Sequence, residues 1–390
     1  MFSLVHYGAD SIGRGTKSLK TSQEADHDNQ QVLPAGTRQV AAFEEEERRG
    51  LRRVQDFLHT YPTTVPIIVL ALAVLFFSLI VGPIFYAPYN LSLVLQQVTI
   101  IAILGIAQTL VILTAGIDLS VGAIMILSSV VMGRTAVTYG VPLEIAFPLG
   151  LLVGFLCGLV NGVIITLLKL PPFIVTLGTW SVFGALNILY SHMETIRQQE
   201  IAAAAPFLQW TGAVIRPYDI LVGSFGITQP WLKGSAITYG TLLMVLLAVA
   251  VWYLLNHTAF GRHLHATGDD PEAARLAGVN TKGTLIAAYA LAGLICAIAG
   301  WVLIGRIGSI SPQAGQTANL DSITAVVIGG TSLFGGRGSI VGTLSGALIV
   351  GVFRNGLSLA GLDVLWQELT IGVLIIVAVT LDQWIRRIAG

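Results

Sequence analysis

A run of about twenty apolar residues returns again and again along this chain, and nothing constrains its fold more. Twenty residues at helical rise span about 30 Å, the thickness of a bilayer's hydrocarbon core. The first run, PIIVLALAVLFFSLIVGPIFY over 66–86, carries no charge. In lipid each backbone polar group must be satisfied inside its own segment, so such runs fold as helices. Barrel strands would alternate apolar and polar with period two, and these runs do not. Charged residues make up 11% of the chain, whereas soluble domains carry about 25%. The fold class expected is an all-α polytopic membrane protein with about ten transmembrane helices.

The expected spans are about 66–86, 91–114, 119–138, 143–168, 173–191, 238–255, 284–305, 319–334, 339–353 and 366–385. Residues 1–60 form a polar tail without the apolar core of a signal peptide. Within it, 21–31 has a disordered composition and 41–61 reads as a charged helix at the membrane surface. Residues 61–390 form the transmembrane domain. Arg48, Arg49, Arg52 and Arg53 precede the first span and place the N-terminus in the cytoplasm. Lys169, Arg262, Arg275, Lys282, Arg337, Arg386 and Arg387 then fall inside. Arg134, Arg197, Arg216, Lys233, Arg306 and Arg354 fall outside. An even span count puts both termini in the cytoplasm, 192–237 on the outer face and 256–282 on the inner face.

Gly150, Gly154, Gly158 and Gly162 share one helix face, as do Gly338, Gly342 and Gly346, so neighbouring backbones can approach closely. LSVGAIMILS (119–128) and SIVGTLSGAL (339–348) share a Val-Gly step, a weak echo of an internal repeat. Asp118 is isolated within TLVILTAGIDLSVGAIM. A carboxylate at the centre of a bilayer costs about 2.5–3.5 kcal/mol on insertion scales. Gly116 and Ser120 beside it suggest a broken helix whose second half Asp118 caps; a ligand or proton-relay role is the alternative. Cys157 and Cys296 sit in apolar runs as packing residues. No Cys or His pattern suggests a metal, and no catalytic constellation or cofactor site is found. GGRGS (335–339) reads as a tight turn. The chain contains no Gly-Lys dipeptide, so it has no phosphate loop and should not bind ATP itself.

The polar stretch FGRHLHATGDDPEAARLAGVN (260–280) separates two apolar spans. Pro271 suits a helix start, and Glu272 in the first turn suits the helix dipole. Ala273, Ala274, Leu276 and Ala277 make a smooth surface, and Gly278 supplies a stop. Such a helix fits a groove on a partner, or is an ordinary capped loop. On the outer face, 192–237 carries Trp210, Trp231 and three prolines, and AAAAPFLQW suits a short interfacial helix. Arg197, Trp210 and Arg216 are candidate anchors for a docking protein. Tryptophans resting at headgroup level are the alternative.

The chain resembles the permease subunits of bacterial ABC importers for ribose, xylose, galactose and fructose. The resemblance covers roughly 60–388 and rests on ILTAGIDLSVGAI (112–124), NGVIITLLKLPPFIVTLGT (161–179), GRHLHATGDDPEAARLAGVN (261–280) and ITAVVIGGTSLFGGRGSIVGTLSGALIVGV (323–352). TIRQQEIAAAAPFLQW (195–210) and GRIGSISPQAGQ (305–316) look most like fructose permeases. Asp270 stands where many relatives carry Asn. The resemblance implies an ABC permease fold in the bacterial inner membrane. It implies a second copy of the chain, a separate ATP-hydrolysing subunit inside and a soluble sugar-binding protein outside. A monosaccharide is the cargo, lipid the surrounding solvent, and nucleic acid plays no part. Glu272, Ala273, Ala274, Arg275 and Gly278 would form the coupling helix against the ATPase. Asp118, Ser120, Asn161, Phe173 and Thr176 are expected near the sugar's path by motif position. The competing class is an ion- or proton-coupled secondary transporter, with Asp118 and Asp321 as a coupling pair. A sugar-sensing receptor would need a signalling domain that the short C-terminal segment does not offer.

Overall fold

The computed structural model describes residues 64–389 apart from 226–228, 230–232 and 316. The tail 1–60, the surface helix expected over 41–61 and the four arginines there fall outside the described residues, as do Pro230, Trp231 and Gln316. Among the described residues, eight helices are long and apolar enough to cross a bilayer. They are α1 (Thr64–Val81), α2 (Pro88–Ile112), α3 (Val121–Gly133), α4 (Leu143–Leu168), α5 (Pro172–Ser191), α8 (Tyr239–His257), α11 (Thr281–Ile307) and α13 (Ile340–Leu359). A 3-10 turn extends α1 to Ile84, and a π-helical turn, Arg134–Thr138, extends α3. Shorter helices fill the connections: α6 (Gln198–Ala204), α7 (Pro217–Phe225), α9 (Ala259–Asp269) and α10 (Pro271–Leu276). Two further apolar segments complete the ten read from sequence. These are α12 (Ala318–Ile328) and the stretch Val364–Leu374 that opens α14 (Val364–Ala389).

Local chemistry sets the helix starts. α2 and α5 begin with Pro88 and Pro172, where a missing N–H costs nothing. The Thr238, Thr258 and Asn280 side chains accept N–H bonds from Thr241, Gly261 and Gly283 at 3.2, 3.3 and 3.0 Å. Ser339 does the same for Gly342 at 3.0 Å. Both decapeptides of the echo therefore open helices, α3 and α13.

The interior is made of α2, α3, α11 and α13. α3 is almost wholly enclosed, whereas only a tenth of α1's apolar window is covered. The glycine stripe on α4 lies against α11. A methyl added to Gly158 would land on the Tyr289 carbonyl, and one added to Gly293 would land on the Gly154 carbonyl. Gly342 and Gly346 meet the backbone of α12 at Gly329 and Ala325 in the same way. Such close approach gains dispersion contacts that lipid cannot outcompete.

α12 is the main departure from the expected spans. A helix over 319–334 was expected, but α12 has 11 residues, about 16 Å, half of a hydrocarbon core. In its first turn Ala318 and Asp321 are buried and Leu320 is exposed, and Asn319 lies beside Gly122 at the start of α3. Ahead of it, Ile310 and Pro312 are buried while Gln313 and Thr317 are exposed.

The segment 192–237 contains α6, a 3-10 helix Pro206–Gly212, α7 and two strands, β1 (Val214–Ile215) and β2 (Ile237–Thr238). The strands pair antiparallel with Val214 opposite Thr238. AAAAPFLQW thus divides between the end of α6 and the 3-10 helix, because the Ala205 backbone leaves the helical region ahead of Pro206. A bridge between Ile196 and Ile310 ties this segment to the loop after α11.

Candidate functional site

The α9–α10 pair connects two spans, α8 and α11, and exposes one of its faces. α9 buries Gly261, Leu264, Thr267 and Gly268 on one face and exposes Arg262, His263 and Asp269 on the other. Asp270 ends α9 and starts α10, its carboxylate accepting the N–H groups of Glu272 at 2.9 Å and Ala273 at 3.0 Å. This is a helix N-cap, which the Asp in place of Asn performs equally well. Gly278, at φ +87°, closes the other end. Val279 N–H reaches the Ala274 carbonyl and Gly278 N–H the Arg275 carbonyl, both at 3.0 Å. That double bond pattern satisfies the last carbonyls, and the left-handed turn suits glycine.

Between these caps Ala274 is buried, while Glu272, Ala273, Arg275, Leu276 and Gly278 are exposed. Leu276 shows 78% of its surface. Arg275 grips Glu272 with two bonds, at 3.2 and 2.5 Å, and its guanidinium holds the Glu272 carboxyl below the usual carboxylate range. An exposed pair of this kind adds little stability, so it shapes a surface instead.

α9 packs on α8 and α11, and its last turn meets the end of α2. A methyl on Gly268 would land on the Leu113 carbonyl at the end of α2. Gly336 N–H donates to that carbonyl at 3.0 Å, and His265 Nδ1 lies 3.2 Å from the Gly336 carbonyl. Gly335 and Gly336, at φ +86° and +70°, make GGRGS the tight turn expected.

From Leu113 the chain turns back into the protein, and Asp118 lies in that corner with 1% of its surface exposed. Its Oδ1 accepts the Ser120 N–H at 2.7 Å and the Ser120 hydroxyl at 2.6 Å. Asn161 on α4 donates to Ser120 Oγ at 2.8 Å. Thr176 on α5 donates to the Ile117 carbonyl at 3.0 Å, sharing its proton with Pro172 of its own helix. Asp118, Ser120, Asn161 and Thr176 are thus brought into one buried network. Phe173 is not: it lies half exposed on the outer face of α5. The expectation that Asp118 caps the helix after the break is not met, for no side chain among the described residues caps the first turn of α3. Asp118 receives the N–H of Ser120, the residue ahead of α3, and not the N–H groups inside the first turn.

Asp321 has its own partner. Arg354 on α13 meets it at 2.7 Å and meets Glu368 on α14 at 3.0 Å. The two aspartates thus hold different partners, which removes the motive for treating them as a coupling pair.

On the 192–237 segment, Trp210 stacks on Tyr239 at 4.6 Å, with Phe207 and Trp301 about it at 6.1 and 6.0 Å. Arg197 is exposed ahead of α6, its N–H bonded to Glu200 at 2.7 Å, and Arg216 lies 3.9 Å from Asp219. Arg134, from the π-turn, is buried nearby. It donates to the Ser191 carbonyl and to Glu194 at 3.0 Å, and so holds the left-handed residues His192 and Met193.

Sequence reasoning missed Gln108, Asn319 and Tyr289. Gln108 Nε2 donates to the Asp118 carbonyl at 2.5 Å, and Asn319 Nδ2 to the Leu119 carbonyl at 3.4 Å. Tyr289 packs its hydroxyl against Gly116. A lone amide on an apolar helix has no periodic signal, and its partner is a carbonyl, which every residue carries.

Residues 90–379 match the family described as the permease component of the branched-chain amino acid transport system. A fructose import permease, FrcC of Rhizobium meliloti, is 53% identical over 97% of this chain and all of the relative. The ribose import permease RbsC of Bacillus subtilis is 40% identical over 78% of this chain and 88% of its own. The xylose transport permease XylH of Escherichia coli K12 is 34% identical over 80% and 89%. No solved structure matches. The family match spans the break at Asp118, the α9–α10 pair and the Asp321–Arg354 pair, and by it this all-helical, many-span chain belongs to the transport-system permease family.

Proposed function

We propose that this chain is the membrane-spanning subunit of an ATP-driven importer for a monosaccharide, fructose first. The observation that carries the reading is α10: a six-residue helix capped at both ends, exposed on five positions and standing on a loop between two spans. A helix so fully capped holds its shape without a bundle around it, as a docking piece must. Full-length identity to a fructose permease supports the cargo.

In this reading Glu272, Ala273, Ala274, Arg275 and Gly278 engage a separate ATPase subunit. The face bearing α9–α10 is cytoplasmic, as are both termini. Residues 61–390 are the permease domain and 1–60 a cytoplasmic tail. The 192–237 segment faces a soluble sugar-binding protein, with Arg197, Trp210 and Arg216 as anchors. A second copy of the chain completes the sugar's path in the bacterial inner membrane. The enclosure of Asp118, Ser120, Asn161 and Thr176 supports a framework role beside that path, and Phe173, half exposed, is the residue of the five free to contact its lining.

The experiment is uptake of labelled fructose, ribose and xylose by the complex of permease, ATPase subunit and binding protein in proteoliposomes. Fructose uptake that requires ATP is expected. Glu272→Arg should release the ATPase subunit and stop uptake while the permease stays folded. Uptake that survives this change and collapses with a protonophore at constant ATP would overturn the reading.

A further inference from the structure

We infer that the corner 113–120 is the junction through which movement of α9–α10 reaches the bundle, and that Thr176 and Asn319 are positioning residues of that junction. The inference rests on reading α9–α10 as the ATPase docking element.

The argument runs carbonyl by carbonyl. A chain break inside a membrane protein leaves peptide carbonyls that must find donors. In this corner the donors come from four places. The Leu113 carbonyl takes the N–H of Gly336, in the turn after α12. The Ile117 carbonyl takes the Thr176 hydroxyl of α5. The Asp118 carbonyl takes the amide of Gln108 on α2. The Leu119 carbonyl takes the amide of Asn319 at the start of α12. The corner cannot shift without pulling on α2, α5, both ends of the α12 region and α3, which it begins.

α9 rests on the same corner. Gly268 is packed backbone to backbone against Leu113, and His265 reaches the Gly336 carbonyl. Glycine contacts of this kind contain no soft side chain that could absorb a displacement, and close-packed interiors transmit strain. α10 itself buries only Ala274. Its motion enters the bundle through its continuation into α11 and through α9, which packs on α8 and α11 and, at Gly268, on this corner. The corner is also held under local strain: Ala115, a non-glycine residue, stands at φ +59° against Gly335. Strain of this kind persists only where the surrounding contacts hold it, so the corner is fixed by its neighbours and follows them.

The test uses the complete importer in lipid, with Thr176→Val, Thr176→Ser and Asn319→Ala. Three quantities are read: co-purification of the ATPase subunit, basal ATP hydrolysis, and hydrolysis and uptake stimulated by sugar-loaded binding protein. Thr176→Val removes the hydroxyl while keeping the shape; Thr176→Ser keeps the hydroxyl. The junction predicts that Thr176→Val and Asn319→Ala retain the ATPase subunit and basal hydrolysis but lose stimulation and uptake about five- to tenfold, and that Thr176→Ser stays near native. Native-like stimulation and uptake in both would overturn the junction. So would loss of uptake with stimulation intact, which marks contact with the sugar, and so would loss of assembly and basal hydrolysis together, which marks a purely structural role. Should Thr176→Val fail to fold, Asn319→Ala decides, because its side chain is only partly enclosed. Failure of the docking reading is seen separately, as an ATPase subunit that stays bound to Glu272→Arg.

Discussion

Arg354 on α13 lies 2.7 Å from Asp321 on α12, and this ion pair holds the half-length helix in place from inside the protein. The Arg354 side chain is 19% exposed and that of Asp321 9%, so water screens the pair poorly. Arg354→Leu should leave a buried carboxylate uncompensated and lower stability by about 3 kcal/mol. Arg354→Leu with Asp321→Leu should recover most of it. Thermal unfolding of the permease in detergent measures both. If the single and double variants unfold together, the pair is not what holds α12.

Asp118 should tolerate Asn and not Leu. Asn keeps an oxygen for the Ser120 N–H and hydroxyl, whereas Leu strands a buried N–H at a cost of about 1–3 kcal/mol. The expected outcome is near-native folded yield for Asp118→Asn and a clear drop for Asp118→Leu, read by size-exclusion chromatography. A folded but transport-dead Asn variant would shift the role of Asp118 from framework to charge.

The glycine stripe on α4 offers an internal control. Gly158→Ala places a methyl on the Tyr289 carbonyl, and overpacking costs about 1–3 kcal/mol. Gly178→Ala, on α5, meets nothing within 4 Å and should be neutral or gain about 0.4–1 kcal/mol. Unfolding midpoints that move the same way for both would contradict the close α4–α11 contact.

The exposed face of α10, proposed as the ATPase contact, should be insensitive to pH across the physiological range. The Arg275 guanidinium lowers the Glu272 carboxyl from its ordinary value of 4.5. A lowered carboxylate is fully charged above that ordinary value, and its pair is lost only as pH falls through the lower folded value. Retention of the ATPase subunit on immobilised permease should therefore stay flat from about pH 6 to 8. A loss of retention within that window would show that this ion pair does not govern the contact.

Two kinds of information divide this protein. The spans were legible in the sequence because crossing lipid is a local property: a run of the right length and hydropathy suffices wherever it lies. The short helix α10 was legible for the same reason: Pro271 at its start and Gly278 past its end act within a few residues, so spacing alone reveals them, whereas the N-cap role of Asp270 came from the structure. The position of Asp118 in a broken segment was readable from Gly116 and Ser120 beside it. What only the tertiary structure decided is which faces meet. Helices that are apolar all round mark no inner face, so no periodicity announces that Gly158 touches α11 or that Asn319 reaches Leu119. Asp321 and Arg354 stand 33 residues apart, and opposite charges in sequence do not say which partner each will take. The end of α12 is local, since Gly330 at φ +82° turns the chain while its N–H reaches the Val327 carbonyl and that of Thr331 the Val326 carbonyl. What the tertiary structure alone decided is where that short helix packs, with Gly342 and Gly346 of α13 set against Gly329 and Ala325, because close backbone approach depends on residues far apart in the chain.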